Sequence, residues 1–269
     1  MMETTGQISV VINTYNAEKF LPQVLESVKD FDEIVVCDME STDHTPDIAR
    51  QYGCRIVTFP KGDCNIVEPA RQFALDAARG PWILVVDADE LVTPQLRDYL
   101  YRMVGRPDCP RGLWIPRRNR VLNQLHRERG HDYQLRFFAK QGTTWPPIIH
   151  VMPHVSGRVE RVDSRERGVE LIHLAENYVG DIVEKINRYT EGELEKKKDK
   201  RWGVGELLWR PWWRFFKSYV MSRGFLNGTP GFIGSALDGF YQFVLVAKII
   251  ERRLRARQQP PQYNNTEKQ

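Results

Sequence analysis

Trp82-Ile83-Leu84-Val85-Val86-Asp87-Ala88-Asp89-Glu90 is the stretch that decides the fold. Five apolar residues in a row, Trp82 to Val86, read as a strand buried on both faces. The run stops at three carboxylates: Asp87, Asp89 and Glu90. Carboxylates at the end of a buried strand are costly unless something cationic sits among them. In open parallel sheets the ligand crevice lies at those strand ends. A D-x-D placed there can hold a hard divalent ion, leaving the ion's other positions to phosphate oxygens. The competing reading is an exposed acidic turn that leads into the next helix, since Thr93-Pro94 follows.

What precedes this stretch favours the site. Ile8 to Ile12 is another continuous apolar run, followed by the polar loop Asn13 to Glu18. Pro22 suits the first turn of a helix with Leu21, Val24, Leu25 and Val28 on its inner face. Ile34 to Cys37 is a second strand, ending at Asp38. Asp43 or Thr42 would cap a helix over 46–52, which Gly53 ends. Residues 55–59 form a third strand, and 67–78 a helix that Gly80 closes before Trp82. Strand and helix alternating at this spacing predict a right-handed, mostly parallel α/β sheet flanked by helices. Parallel strands bring Asn13 and Thr14, then Asp38, then Asp87 and Asp89 to one sheet edge, where they form one site. No glycine-rich dinucleotide or Walker-type loop is present. Zinc ligand spacing and a nucleophile elbow are also missing.

The chain has 269 residues, room for one large domain or a domain with an appendage. Cys37, Cys54, Cys64 and Cys109 form no C-x-x-C pair and read as reduced thiols in a cytosolic compartment. The opening MMETTGQ has no basic region followed by an apolar core, so no signal peptide is expected. The net charge of +4 is uneven: residues 1–175 carry 22 Lys/Arg against 24 Asp/Glu, and residues 176–269 carry 17 against 11. A near-neutral body with a basic C-terminal part points the latter at something anionic.

VVINTYNAEKFLPQVLESV (10–28), EIVVCDMESTDHTPDIARQYG (33–53) and RQFALDAARGPWILVVDADE (71–90) together resemble the family 2 glycosyltransferases of the GT-A fold. IPRRNRVLN (115–123), DYQLRFF (132–138) and KINRYTEGEL (185–194) are similar to the branch containing lipopolysaccharide core β-1,4-glucosyltransferases. The resemblance implies a nucleotide-sugar donor such as UDP-glucose, a divalent metal (Mg2+ or Mn2+), and inversion at the anomeric carbon. It places Thr14, Asn16, Ala17 and Glu18 beside the nucleotide, and Asp38 and Asp43 in the pattern that meets base and ribose. It gives Asp87 and Asp89 to the metal, with Asp87 also at the donor's ribose, and groups Arg71 with the donor site. Met39 and Glu40 replace the usual residues between Asp38 and Ser41, and Gln72 stands where the family has Asn.

The middle of the chain is dense in arginine. A helix is expected over 91–104, then a strand over 113–115. Arg117, Arg118, Gln134 and Arg136 are candidates for holding the donor diphosphate or a phosphorylated acceptor, because a guanidinium fork binds two oxygens. A solvated strand edge is the alternative, most of all for Arg127 and Arg129. Inverting transfer needs a base for the acceptor hydroxyl. In the resemblance that base is Asp132, which otherwise reads as a turn aspartate after Gly130. His150 and His173 are phosphate or metal candidates, or simply packed histidines.

Residues 182–194 have helical spacing. Trp202, Trp209, Trp212 and Trp213 fall within twelve residues, interleaved with Arg210, Arg214, Lys217 and Arg223. Residues 231–250 are long enough to span a membrane, but Asp238 and the flanking glycines argue for an interfacial or re-entrant helix. Packing on the catalytic domain and a nucleic-acid patch are the rivals; the long apolar helical runs favour an anionic membrane surface and no nucleic acid. The domains expected are a GT-A catalytic domain at 1–175, a membrane-associated helical region at 176–257 and a disordered tail at 258–269. The whole reads as a glycosyltransferase, peripheral at the cytoplasmic face of the inner membrane, acting on a lipid-linked or lipopolysaccharide-core acceptor. Transfer to a polyprenyl phosphate and a non-catalytic membrane-binding module are the alternatives.

Overall fold

A computed structural model of the chain describes residues 6–62, 67–122, 124–125, 132–148, 151–174, 178–197 and 199–258. Arg127, Arg129, His150 and the tail from residue 259 lie outside the described residues. Two compact units divide the chain.

In chain order up to residue 173 the elements are β1 (Ile8–Thr14), α1 (Leu21–Val28), β2 (Glu33–Asp38), α2 (Thr45–Gln51), β3 (Arg55–Thr58), α3 (Glu68–Ala77), β4 (Trp82–Asp87), β5 (Glu90–Val92), α4 (Pro94–Val104), β6 (Gly112–Val121), β7 (Gln124–Leu125), β8 (Tyr133–Ala139), β9 (Thr143–Thr144), β10 (His154–Val155), β11 (Val159–Arg161) and β12 (Leu171–His173). Strands β3, β2, β1 and β4 lie side by side and parallel. β8 then runs antiparallel between β4 and β6. β6 pairs parallel with β11 and β12, and β12 closes antiparallel on β5. The sheet is therefore mixed: a parallel half, as the alternation predicts, continued by a half with both antiparallel and parallel pairs. The strand order reverses at β1, which lies between β2 and β4. That is the place where open α/β sheets bind ligands.

Every residue of β1 is buried. Ile8, Val10 and Ile12 pack with Leu21, Leu25, Leu96 and Leu100 from α1 and α4. Val11 points the other way, into a cluster with Ala70, Ala74 and Leu75 of α3. Period-2 alternation on a strand covered on both faces explains its unbroken apolar run.

The expected helix over 91–104 begins only at Pro94. Leu91 and Val92 are extended and pair with Ile172 and Leu171 of β12. Thr93 is the true start: its hydroxyl accepts from the Leu96 amide at 3.2 Å and lies 2.6 Å from the Gly168 carbonyl, to which it donates. Thr93→Ala removes the cap and the tie to the segment before β12. A loss of about 1–2 kcal/mol is expected, read as a lower denaturant midpoint at unchanged m-value.

The second unit holds α5 (Val179–Lys196), α6 (Val204–Phe216), a π turn at Lys217–Met221, a 3-10 turn at Gly224–Asn227 and α7 (Gly228–Gln258). α6 and α7 fold back on one another, with Phe215 edge-on to Phe232 at 5.5 Å. α5 is tied to α7 by polar contacts: Tyr241 donates to Glu193 at 2.8 Å, and Lys248 and Arg252 pair with Glu191 and Glu195 at the same distance. The apolar run 231–250 is thus the middle of a 31-residue helix.

Candidate active site

The parallel strand ends frame a cleft of about 820 Å³. Asn13 and Thr14 line it from β1, Asn16 from the loop after it, Arg71 from α3, Asp87 and Asp89 from the end of β4, and His173 from β12. The D-x-D motif resolves into two unlike carboxylates. Asp87 is clamped by two arginines: Arg71 reaches its Oδ1 at 3.0 Å, and Arg136 bonds its Oδ2. Burial alone would push the Asp87 carboxyl up, but Arg136 and Arg71 outweigh it and hold the carboxyl well below its usual range. Asp89 meets an imidazole instead, with His173 Nε2 3.1 Å from its Oδ2.

His173 arrives by sheet pairing. β12 sets it opposite Glu90 on β5 and Asn119 on β6. Its Nδ1 lies 2.9 Å from the Asn119 side-chain oxygen, which fixes the ring by its second nitrogen. A carboxylate oxygen and an imidazole nitrogen this close can share one hard-to-borderline divalent ion. Among the described residues no group of three or more His, Cys, Asp or Glu side chains is arranged to hold a metal. An ion bound by Asp89 and His173 would take its remaining ligands from a bound phosphate.

Glu90 was not singled out as a site residue, yet it links the cluster. It is fully buried. Its Oε1 lies 3.0 Å from Arg117 and 3.6 Å from Arg136, and its Oε2 accepts from the Asp87 amide at 3.1 Å. Arg117 extends the cluster to Asp132, which accepts from Arg117 Nε at 2.9 Å, Asn119 Nδ2 at 3.1 Å and Gln134 Nε2 at 2.6 Å. Strand alternation selects these partners. Arg117 and Asn119 share one face of β6, and Gln134 and Arg136 share one face of β8. Arg118 points to the other face, where it pairs with Glu170 at 2.6 Å. It is not brought to the cleft.

The upstream candidates form a clasp between two loops. Asp38 is buried and accepts from Thr14 Oγ1 at 3.1 Å and Ser41 Oγ at 2.6 Å. Asn16, at a left-handed φ of 48°, accepts from the Thr42 amide at 2.8 Å. Glu18 accepts from the His44 amide at 3.0 Å, and Asp43 from the Glu18 amide at 3.1 Å. Gln72 gains a role that its departure from the family pattern hid. It accepts from the Trp145 amide at 2.7 Å, and Arg71 stacks over the Trp145 ring at 4.7 Å.

Burial pushes the Asp132 carboxyl up, but the Asn119 bond and Arg117 bring it below the ordinary range. Arg117→Met takes away the cation that favours the charged form, so the Asp132 midpoint should move up in pH. The carboxyl carbon shift followed through an acid titration measures it. A midpoint that stays put shows that Arg117 does not hold Asp132 in solution.

The sequence matches the family model "Glycosyl transferase family 2" over residues 9–167. An uncharacterized glycosyltransferase from Rickettsia bellii is 29% identical over 266 residues, covering 93% of this chain and 88% of that protein. The lipopolysaccharide core biosynthesis glycosyltransferase LpsC of Rhizobium meliloti is 26% identical over 260 residues, covering 93% and 94%. Among solved structures, S. aureus TarS 1–349 aligns over 93% of this chain and 85% of its own, with a TM-score of 0.49 and 16% identity. With more than half its length in that match, and with the mixed GT-A sheet carrying an acidic motif at its switch point, the chain belongs to glycosyl transferase family 2.

Proposed function

We propose that the chain transfers a hexose, glucose from UDP-glucose in the first instance, to a lipid-linked or lipopolysaccharide-core acceptor with inversion at the anomeric carbon. The observation that carries this reading is the split D-x-D: one carboxylate locked between arginines, the other paired with a histidine at the mouth of the cleft. A relative named for lipopolysaccharide core biosynthesis supports the acceptor class.

In this reading the clasp of Thr14, Asn16, Glu18, Asp38 and Asp43 shapes the nucleotide end of the cleft. Asp89 and His173 would hold a Mg2+ or Mn2+ ion, which would supply neutralisation of charge on the departing diphosphate. Asp87 stands beside it at the ribose, kept ionised by Arg71 and Arg136. Arg136 and Arg71 are also the guanidiniums nearest to a diphosphate at the motif. The acceptor oxygen attacks the anomeric carbon as the bond to the diphosphate breaks, and Asp132 receives the hydroxyl proton. Its charged form is ready at neutral pH. Its low proton affinity means that transfer occurs late, when the attacking oxygen has already become acidic. Arg117, Asn119 and Gln134 aim the carboxylate, and Arg117 balances its charge between turnovers.

The protein works peripherally at the cytoplasmic face of the inner membrane, on an anionic surface that presents the acceptor. Support comes from Gly224–Arg257, which is long and apolar enough to cross a membrane by length and composition.

A donor screen by thermal shift with Mg2+ or Mn2+ present tests the donor, since a ligand that binds the folded state raises its apparent stability. UDP-glucose should raise the midpoint only with metal; no shift with any nucleotide sugar overturns the reading. Asp89→Asn should lower activity at least about a hundredfold, roughly 2.7 kcal/mol of transition-state stabilisation, and raise the metal concentration needed for half activity. Asp132→Asn should keep donor affinity in calorimetry while turnover collapses. Retained turnover with lost donor binding moves Asp132 to the donor site.

A further inference from the structure

The α6–α7 hairpin is built the reverse way from a pair of helices in water. Its inner seam is small. Gly231, Ser235 and Gly239 recur every four residues on α7, and all three are buried. A Cβ on Gly231 would collide with the Gly224 carbonyl oxygen in the 3-10 turn at the bend, and one on Gly239 would meet the Pro211 carbonyl of α6 at 2.9 Å. The backbones approach too closely there for a side chain. Its outer surface is large and apolar. Val204, Leu208, Trp212, Phe216 and Val220 recur every four residues along the α6 side and are exposed, Trp212 to 74%. Phe240 and Phe243 are exposed on α7, while Phe232, half-exposed, also packs edge-on against Phe215 and Tyr219 near the bend. In water, large apolar groups go inward and gain from burial. Small residues inside with large apolar residues outside is the pattern of helices that meet lipid.

The charge pattern names the surface. Residues 207–237 hold four basic residues, Arg210, Arg214, Lys217 and Arg223, and no acidic one. The next acid, Asp238, is held within the hairpin: it accepts from Ser218 at 2.7 Å and lies 3.7 Å from Arg214.

The same residues fix how the hairpin lies. The exposed row from Val204 to Val220 covers seventeen residues, about 24 Å of helix, so the apolar face runs along the axis. It is not gathered at the bend. The bend itself carries Arg223 and Asn227, both poor at mid-bilayer, and α6 carries Glu206 and two arginines within a helical length that a span would need. We infer that the α6–α7 hairpin lies flat in the boundary between headgroups and acyl chains of one leaflet of an anionic bilayer, with the Val204–Val220 row facing the lipid. This rests on the proposal that the enzyme works at a membrane surface, and adds the face and depth.

The test uses the full chain with vesicles of phosphatidylcholine alone or mixed with phosphatidylglycerol. Binding should require the anionic lipid, weaken with salt and yield to carbonate extraction. Leu208→Glu with Trp212→Glu should weaken vesicle binding at least tenfold. Both side chains are exposed, so the far-UV circular dichroism should not change. Depth is read from the emission lost in a Trp209→Phe, Trp212→Phe, Trp213→Phe variant: lipids brominated at carbons 6 and 7 should quench that component more than lipids brominated at 11 and 12. If the full chain ignores anionic vesicles at low salt, the membrane reading fails and this inference with it. If the chain binds but resists carbonate, or deep bromines quench better, the flat hairpin is overturned while the membrane reading stands. If the double glutamate variant binds as well as the parent, the lipid-facing row is wrongly assigned.

Discussion

The fold of the first unit depends on ending buried strands in charge. Strand β4 is apolar until Asp87, and the chain then places three carboxylates within four residues at an edge with little water. Ionised groups there are tolerable only with counter-charges in contact. Arg136 supplies one from β8, Arg71 another from α3 and Arg117 a third from β6. Each must sit on the correct face of its own element, so the charge requirement also fixes register. A one-residue slip of β8 would turn Arg136 away from Asp87 and leave both stranded. Glu90, fully buried, ties the arginines of β6 and β8 to the backbone of the motif. The mixed half of the sheet and the acidic motif therefore specify one another.

Much of the parallel half was legible because its signals are local. Runs such as Ile8 to Ile12 and Trp82 to Val86 have one satisfactory environment, and the intervening helices carry their own apolar faces and prolines. What stayed hidden was made by pairing across distance. Leu91 and Val92 read as the start of a helix because they join smoothly to the apolar spacing of Leu96 and Leu100; β12, some eighty residues later, takes them as a strand. His173 was a phosphate or metal candidate by residue type, but its partner was not legible. Three residues of sheet bring it to Asp89, and nothing in its own neighbourhood encodes that. Among the arginines, Arg117 and Arg118 looked equivalent. Strand alternation separates them, giving one to Asp132 and the other to Glu170.

The two units solve burial by opposite means. In the sheet unit, large side chains fill a core: Phe137, Phe138 and the leucines of α1 and α4 are fully enclosed. In the helical unit the closest backbone approach is made by glycines, Leu245 and Val246 are buried, and Trp209, Trp212, Trp213 and Phe216 of α6 stand outside. The tryptophans were legible as a cluster, but their direction was not. A sequence in which nearly every position of a helix is apolar or basic does not reveal which face meets its neighbour. The small positions settle it: Gly239 lies against the Pro211 backbone of α6, and Gly231 and Ser235 lie against Gly224 at the bend.

The charge of the cleft argues for an ion as strongly as the motif does. Arg71, Arg117 and Arg136 stand against Asp87, Asp89, Glu90 and Asp132, so the cluster carries one more negative than positive charge. A nucleotide diphosphate brings further negative charge into that setting. The arginines are already committed to carboxylates at about 3 Å or less, and releasing them would strand buried acids. They can orient phosphate oxygens with their remaining N–H groups but cannot by themselves offset the added charge. Asp89 is the one acid of the four with no arginine ion pair among the described residues; Arg136 acts on it only at longer range, and its side chain pairs with His173 at the more exposed end of the cluster. In the proposed function a divalent cation on Asp89 and His173 would restore the balance where the diphosphate would enter, without disturbing the ion pairs that hold the sheet edge together.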